Sequence, residues 1–266
     1  MDFIQIIILA IVQGITEFLP VSSSAHLILV PLLTDWQDQG LAIDVAAHLG
    51  SLVAVVHYFR ADLWQLIQAG IVSIKTRSLE NHQSQLFWLI GLASFPVLLV
   101  GFLGHDIIST YLRHPLIIAA ASIFFGLVLL YADKSGARVN TINHISFKTA
   151  MLIGAAQILA LIPGTSRSGI TMTAALMLGF DRQSAARFSF FLAIPVILCA
   201  AAYECLSLLK SDNVVDPINF GLTAGLSALT AWLSIHYFLK FVDKVGMLPF
   251  VIYRVLLGVI LIAIFI

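Results

Sequence analysis

Two polar stretches interrupt an otherwise oily chain. The first is Gln13-Gly-Ile-Thr-Glu17-Phe-Leu-Pro20-Val-Ser22-Ser23-Ser24-Ala-His26, and the second is Gln157-Ile-Leu-Ala-Leu-Ile-Pro163-Gly-Thr165-Ser166-Arg167-Ser168-Gly-Ile-Thr171. Each runs from apolar helix through a proline to a hydroxyl cluster and back to apolar helix. Proline removes a backbone donor and clashes with the preceding turn, so a helix–loop–helix break is expected at Pro20 and at Pro163. Lipid does not tolerate the unpaired backbone groups of such a break unless they are buried in protein or line a polar cavity. Glu17, His26 and Arg167 then become ionisable groups held at membrane depth, and such groups are functional candidates.

Working outward, the 266-residue chain is 60% hydrophobic and 11% charged, with a mean hydropathy of +1.00. These values exclude an ordinary soluble domain and indicate an all-α polytopic membrane protein. The formal net charge is zero, which argues against a nucleic-acid partner. Cys199 and Cys205 lie six apart on different helix faces, so they read as buried apolar filler and not as a disulfide. The N-terminus lacks a basic leader and reads as a retained membrane helix.

Spanning helices, which need about 20 apolar residues, are expected at roughly 41–59, 86–104, 115–132, 185–207, 219–240 and 249–266. The stretches at roughly 3–33 and 147–178 read as re-entrant hairpins. Threaded in this way, the loops around 60–85, 133–147, 179–184 and 241–248 share one side of the membrane. That side holds nine basic residues: Arg60, Lys75, Arg77, Lys134, Arg138, Lys148, Arg182, Lys240 and Lys244. The other side has two, Arg113 and Lys210, with Asp2, Asp35, Asp38, Asp106, Asp212 and Asp216. The bias makes the first side cytoplasmic and turns both termini outward. Residues about 1–132 and 147–266 each hold one hairpin and three crossings. An odd number of crossings makes them an inverted-topology repeat within one membrane domain, with the two breaks meeting near the midplane. His48 and Arg187 occupy matching positions in the halves.

Gln13 and Glu17 are four apart and share a helix face. A buried carboxylate must be paired, protonated or bound to metal. Ser22, Ser23 and Ser24 could cap the half-helix after Pro20. The sharper reading pairs Ser23 with His26 as hydroxyl nucleophile and imidazole. At the second break, Thr165, Ser166, Ser168 and Thr171 surround Arg167 between Gly164 and Gly169. A half-helix N-terminus, hydroxyls and a guanidinium fork together make a phosphate cradle. An ion pair between Arg167 and Glu17 is a compatible alternative. Arg254, inside the last span, faces the cavity or pairs with a neighbour.

On these residues the chain resembles the undecaprenyl-diphosphate phosphatase family, the bacitracin-resistance type of bacterial inner membranes. Gln13 through Leu27 matches the family's first motif without a gap, and Pro163 through Thr171 matches the second. The likeness extends to the stretch Phe188–Pro195 and to Tyr253-Arg254. The resemblance implies hydrolysis of undecaprenyl diphosphate to the monophosphate and inorganic phosphate, recycling the lipid carrier of cell-wall synthesis. It implies catalytic roles for Glu17, Ser23, His26 and Arg167. It puts Ser22, Ser166 and Thr171 at phosphate-binding positions and Arg254 at a further basic one. It also implies a divalent cation, Mg²⁺ or Ca²⁺, on Glu17. Many relatives carry glutamate where Gln13 stands, so residue 13 would instead hydrogen-bond phosphate or water. Attack by Ser23 and attack by water are both open, as is a homodimer. The cavity is expected to open outward. The alternative is a transporter or flippase of a phosphorylated polyprenyl lipid, which suits an inverted repeat and needs no activated hydroxyl.

Overall fold

A computed structural model describes residues 3–34, 36, 39–79, 81–104, 108, 110–210 and 216–266. Five of the outward-facing acidic residues counted above, Asp2, Asp35, Asp38, Asp106 and Asp212, lie outside that set. The described residues form helices and connecting turns, with one isolated bridge between Asn140 and Phe180.

The first half contains α1 (Phe3–Thr16), α2 (Ser23–Thr34), α3 (Gly40–Tyr58), α4 (Arg60–Thr76), α5 (His82–Leu103) and α6 (Pro115–Ser135). The second contains α7 (Phe147–Ala156), which runs on as a 3₁₀ turn over Gln157–Leu161. It continues with α8 (Arg167–Met177), α9 (Arg182–Lys210), α10 (Pro217–Val245) and α11 (Leu248–Phe265). Among the described residues six helices are long and apolar enough to cross a membrane: α3, α5, α6, α9, α10 and α11. They coincide with the six spans expected from hydropathy. Their outer faces are oily, with Phe95, Phe102 and Phe124 each more than half exposed. That pattern suits a lipid surround and would be an aggregation hazard in water.

The expected loop after the first span is wrong. Residues 60–76 form α4, joined to α3 through Phe59 alone. Apolar residues alternate in patches with Gln65, Gln68, Ser73 and Lys75, so the segment is too short and too polar for a span. It is nonetheless a continuous amphipathic helix, and Trp64, Ile67, Ile71 and Ile74 on its surface are exposed. Cys199 also departs from expectation: it is exposed on α9, not buried.

Helices in lipid gain little from burying apolar surface against each other and depend on close backbone approach and interhelical hydrogen bonds. The chain provides both across its midpoint. A Cβ on Gly14 of α1 would stand 2.5 Å from the carbonyl of Ser227 on α10, so only glycine lets the two helices touch. Ser51 on α3 lies 3.0 Å from Ser227 on α10, oxygen to oxygen. Around the breaks the core is aromatic. Phe18, directly after Glu17, meets Phe190 of α9 edge to face at 5.3 Å, and Phe59 meets Phe191 at 5.1 Å.

One polar hub lies at the end carrying most of the basic residues. Asp133 near the end of α6 is buried. It accepts from Arg182 at 2.6 Å through Nε and 2.8 Å through Nη2. It also accepts from the backbone N–H of Met247 at 3.2 Å, tying α6, α9 and the α10–α11 turn together. Removing one partner strands a buried charge, which costs about 3–5 kcal/mol. Asp133→Ala is therefore expected to lower the thermal midpoint in detergent markedly. An unchanged midpoint would make this hub dispensable.

Candidate functional site

The two breaks are built alike. After α1 the chain turns through Glu17–Val21, and after the 3₁₀ turn it turns through Ile162–Thr165. Each turn ends on a serine with left-handed backbone, Ser22 at φ +74° and Ser166 at φ +70°. This conformation is uncommon and costly for a residue with a side chain. Each strained serine then uses its hydroxyl on the next turn. Ser22 Oγ lies 3.3 Å from Ser24 Oγ. Ser166 Oγ lies 3.1 Å from Ser168 Oγ and accepts the N–H of Gly169 at 3.1 Å, as an N-cap does. The following helices open on Ser23 and Arg167, so these two residues hold equivalent places.

Both converge on Glu17. Ser23 donates its hydroxyl to Glu17 Oε2 at 2.6 Å. Arg167 donates through Nη2 to Glu17 Oε1 at 3.2 Å. Gln13 donates its amide to Glu17 Oε2 at 2.8 Å, from one turn back on α1. The carboxylate is buried, and these three donors offset its desolvation. The guanidinium of Arg167 also lies over the Phe18 ring at 6.0 Å.

A cavity of about 170 Å³ opens beside this cluster. Glu17, Ser22, Ser23, Ser24, Ser166 and Arg167 give it a polar wall, while Ala160, Val196, Ile197 and Ala200 give it an apolar one. Two helix N-termini, of α2 and α8, sit at the polar wall. Amide donors, hydroxyls and a guanidinium around so small a volume suit a tetrahedral anion.

Residues 6–260 match the family described as bacitracin resistance protein BacA. The chain belongs to the BacA family. A relative from Thioalkalivibrio sulfidiphilus, named undecaprenyl-diphosphatase, is 53% identical over the whole of both chains. One from Pseudoalteromonas translucida, named undecaprenyl-diphosphatase 1, is 51% identical over 97% of each. One from Teredinibacter turnerae, named undecaprenyl-diphosphatase, is 50% identical over 98% of each.

Within this BacA-family chain, His26, Ser168, Thr171 and Arg254 stand behind the cavity wall, whereas His48 lies on it. Ser23 and His26 do not form the expected pair. His26 donates through Nδ1 to the carbonyl of Ser22 at 2.7 Å. Its Nε2 then accepts from the hydroxyl of Tyr253 at 2.5 Å. On a helix a residue three places on is a neighbour, but here the backbone of Ser22 and a side chain from α11 take both ring nitrogens. Ser168 donates to the carbonyl of Leu19 at 2.8 Å, pinning the second break to the first. Thr171 is bonded to the carbonyl of Arg167 at 2.9 Å and lies 2.7 Å from Ser189 Oγ.

Arg254 is fully buried. Its Nη2 donates to the carbonyls of Gly164 at 2.9 Å and Thr165 at 2.8 Å. These are carbonyls that the broken helix leaves orphaned, and lipid offers no replacement partner. Ser22 Oγ accepts the N–H of Gly164 at 3.2 Å from the other break. Arg254 therefore satisfies the turn backbone on which Ser166 and Arg167 depend. Tyr253 and Ser189 contribute contacts that the two motifs alone did not indicate; only helix packing brings them here.

Gly164 is the tightest point of the second break. It has φ +94°, and a Cβ there would meet the carbonyl of Ile118 at 2.5 Å. Strained backbone of this kind costs of order 1–3 kcal/mol before any clash is added. Gly164→Ala is expected to lower the thermal midpoint in detergent. Gly91→Ala, where a Cβ meets nothing within 4 Å, serves as the neutral comparison. Equal midpoints for the two variants would contradict this account of the turn.

Proposed function

We propose that this chain is an undecaprenyl-diphosphate phosphatase of a bacterial inner membrane, releasing inorganic phosphate and leaving the lipid monophosphate. The observation that carries the reading is the 2.6 Å contact from Ser23 Oγ to Glu17 Oε2, with Arg167 on the other carboxylate oxygen. A hydroxyl donating to a buried carboxylate is poised to lose its proton to it. The family and the names of the relatives point to the same chemistry.

In this reading Ser23 Oγ attacks the terminal phosphorus and its proton passes to Glu17. The bond between that phosphorus and the bridging oxygen breaks, and the lipid monophosphate leaves. Water then hydrolyses the phosphoserine, returning the proton to Ser23. Direct attack by water, deprotonated by Glu17, uses the same groups. Arg167 and the amides opening α8 stabilise the charge on the equatorial oxygens, the main requirement of phosphoryl transfer. Ser22 and Ser166 hold phosphate oxygens at the cavity wall. His26, bonded to Ser22 and Tyr253, acts on the reaction by holding the Ser22 turn and not by taking the serine's proton.

The oxygens near Glu17 suit a divalent cation that arrives on the diphosphate. There is one carboxylate, and Gln13 Oε1 beside it is buried without a hydrogen-bond partner. No cluster of three ligating side chains is found among the described residues, which argues against a dedicated protein cage. Mg²⁺ is commonly held by one or two carboxylates together with substrate phosphates. Glu17, with Gln13 Oε1 in support, would hold Mg²⁺ or Ca²⁺, which would neutralise developing phosphate charge.

The two breaks belong, in this reading, to re-entrant hairpins of an inverted repeat. The shared left-handed serine and the equivalent places of Ser23 and Arg167 support that arrangement. The basic residues put Arg182, at the start of α9, on the cytoplasmic side. Val196, Ile197 and Ala200 of the cavity wall lie at or beyond the midpoint of α9, which in this reading opens the cavity outward; the same charge bias turns both termini outward.

Purified protein in detergent is expected to release phosphate from undecaprenyl diphosphate. Absence of release, with movement of the lipid across vesicles instead, would favour the transporter reading. Arg167→Lys is expected to lose roughly 2–4 kcal/mol of transition-state stabilisation, because an ammonium cannot reproduce a fork. Near-normal release by that variant would remove Arg167 from the mechanism.

A further inference from the structure

Among the described residues only one imidazole lines the cavity, and it is not the one in the serine motif. His48 of α3 shares the wall with Glu17, Ser22, Ser23, Ser24 and Arg167. His26, with both nitrogens engaged, is not part of that lining. The ring of His48 is fixed from behind. Its Nδ1 bonds to the carbonyl of Asp44 at 2.8 Å, one turn back on the same helix. Asp44 is held in turn by the side chain of Gln39, at 2.9 Å. A carbonyl accepts only, so Nδ1 carries a hydrogen, and Nε2 is the nitrogen left for the cavity. The acidic groups acting on the ring are Glu17 at the end of α1, Glu204 on α9 and Asp44 on its own helix. The basic group on the same wall is Arg167.

We propose that His48 is a substrate-contacting residue that donates Nε2–H to a phosphate oxygen of the bound diphosphate, on the wall that also carries Arg167. The inference rests on the diphosphate reading of this cavity. Three features support it. The ring is oriented by backbone and needs no rearrangement on binding. It brings a donor from α3, an element that carries neither break, so an anion in the cavity is held by three separate helices. And a bound polyanion itself favours the doubly protonated ring, whose charge complements phosphate. The chemistry selected is a compact polyanion. A neutral lipid headgroup would gain nothing from this donor.

The test compares wild type, His48→Ala and His48→Gln as purified full-length protein in detergent. The probe is methylenediphosphonate, a diphosphate that cannot be hydrolysed, titrated calorimetrically. A hydrogen bond to a charged group contributes enough that His48→Ala should bind the probe roughly tenfold or more weakly. His48→Gln, which keeps a side-chain N–H donor, should recover most of that loss. Thermal midpoints matching wild type would show that packing is intact. Equal binding by wild type and His48→Ala would overturn the proposal, as would a wild type that does not bind the probe. So would a His48→Gln no better than His48→Ala. Phosphate release from undecaprenyl diphosphate by wild type is measured alongside. Its absence, with probe binding still dependent on His48, would defeat the phosphatase reading and leave this contact standing.

Discussion

The carboxylate of Glu17 joins the two breaks, and the geometry of the site follows from that junction. Ser23 reaches it from the start of α2 and Arg167 from the start of α8, while Gln13 supports it from α1. A single negative charge buried inside the protein is tolerable only with such donors around it. In the proposed reading the same donors serve phosphoryl transfer, so stabilising the charge and assembling the chemistry become one arrangement. On the proposed reading a bound diphosphate would give Arg167 new negative charge to face, with Ser23 already hydrogen-bonded to a proton acceptor.

Holding two turns of irregular backbone together in an oily core is the larger constraint. Each turn exposes carbonyls and amides that lipid cannot satisfy. Arg254 covers the carbonyls of Gly164 and Thr165, Ser168 covers that of Leu19, and Ser22 takes the amide of Gly164. Several of these bonds run from one break to the other. The turns therefore stabilise each other, and neither would keep its shape alone. Strain at Ser22 and Ser166 is compatible with this network because their surroundings over-determine the backbone.

Much of this was legible in the residues. Proline followed by a hydroxyl cluster marked both breaks, and the hydropathy profile marked the six long helices. Glu17, Ser22, Ser23, Ser166 and Arg167, which line the cavity, all stood inside the two motifs. Pairings were less legible. Local spacing suggested Ser23 with His26, whereas helix packing gives Ser23 to Glu17 and His26 to Tyr253. Arg254 reads from the sequence as facing the cavity or pairing with a neighbour, and its actual target, backbone carbonyls, carries no sequence signal. His48 lies outside both motifs, so only the placement of α3 reveals that it faces the cavity. Helix α4 was hidden because its period is helical but its length and polarity fall short of a span.

The most direct measurement is a double-mutant cycle on phosphate release, using Glu17→Gln, Ser23→Ala and the combined variant, purified in the same detergent and checked for equal thermal midpoints. If Glu17 acts on the reaction through its contact with Ser23, the two losses are not additive, and the combined variant is about as slow as the slower single one. Losses that multiply, as for independent sites, would contradict the central place given to this contact.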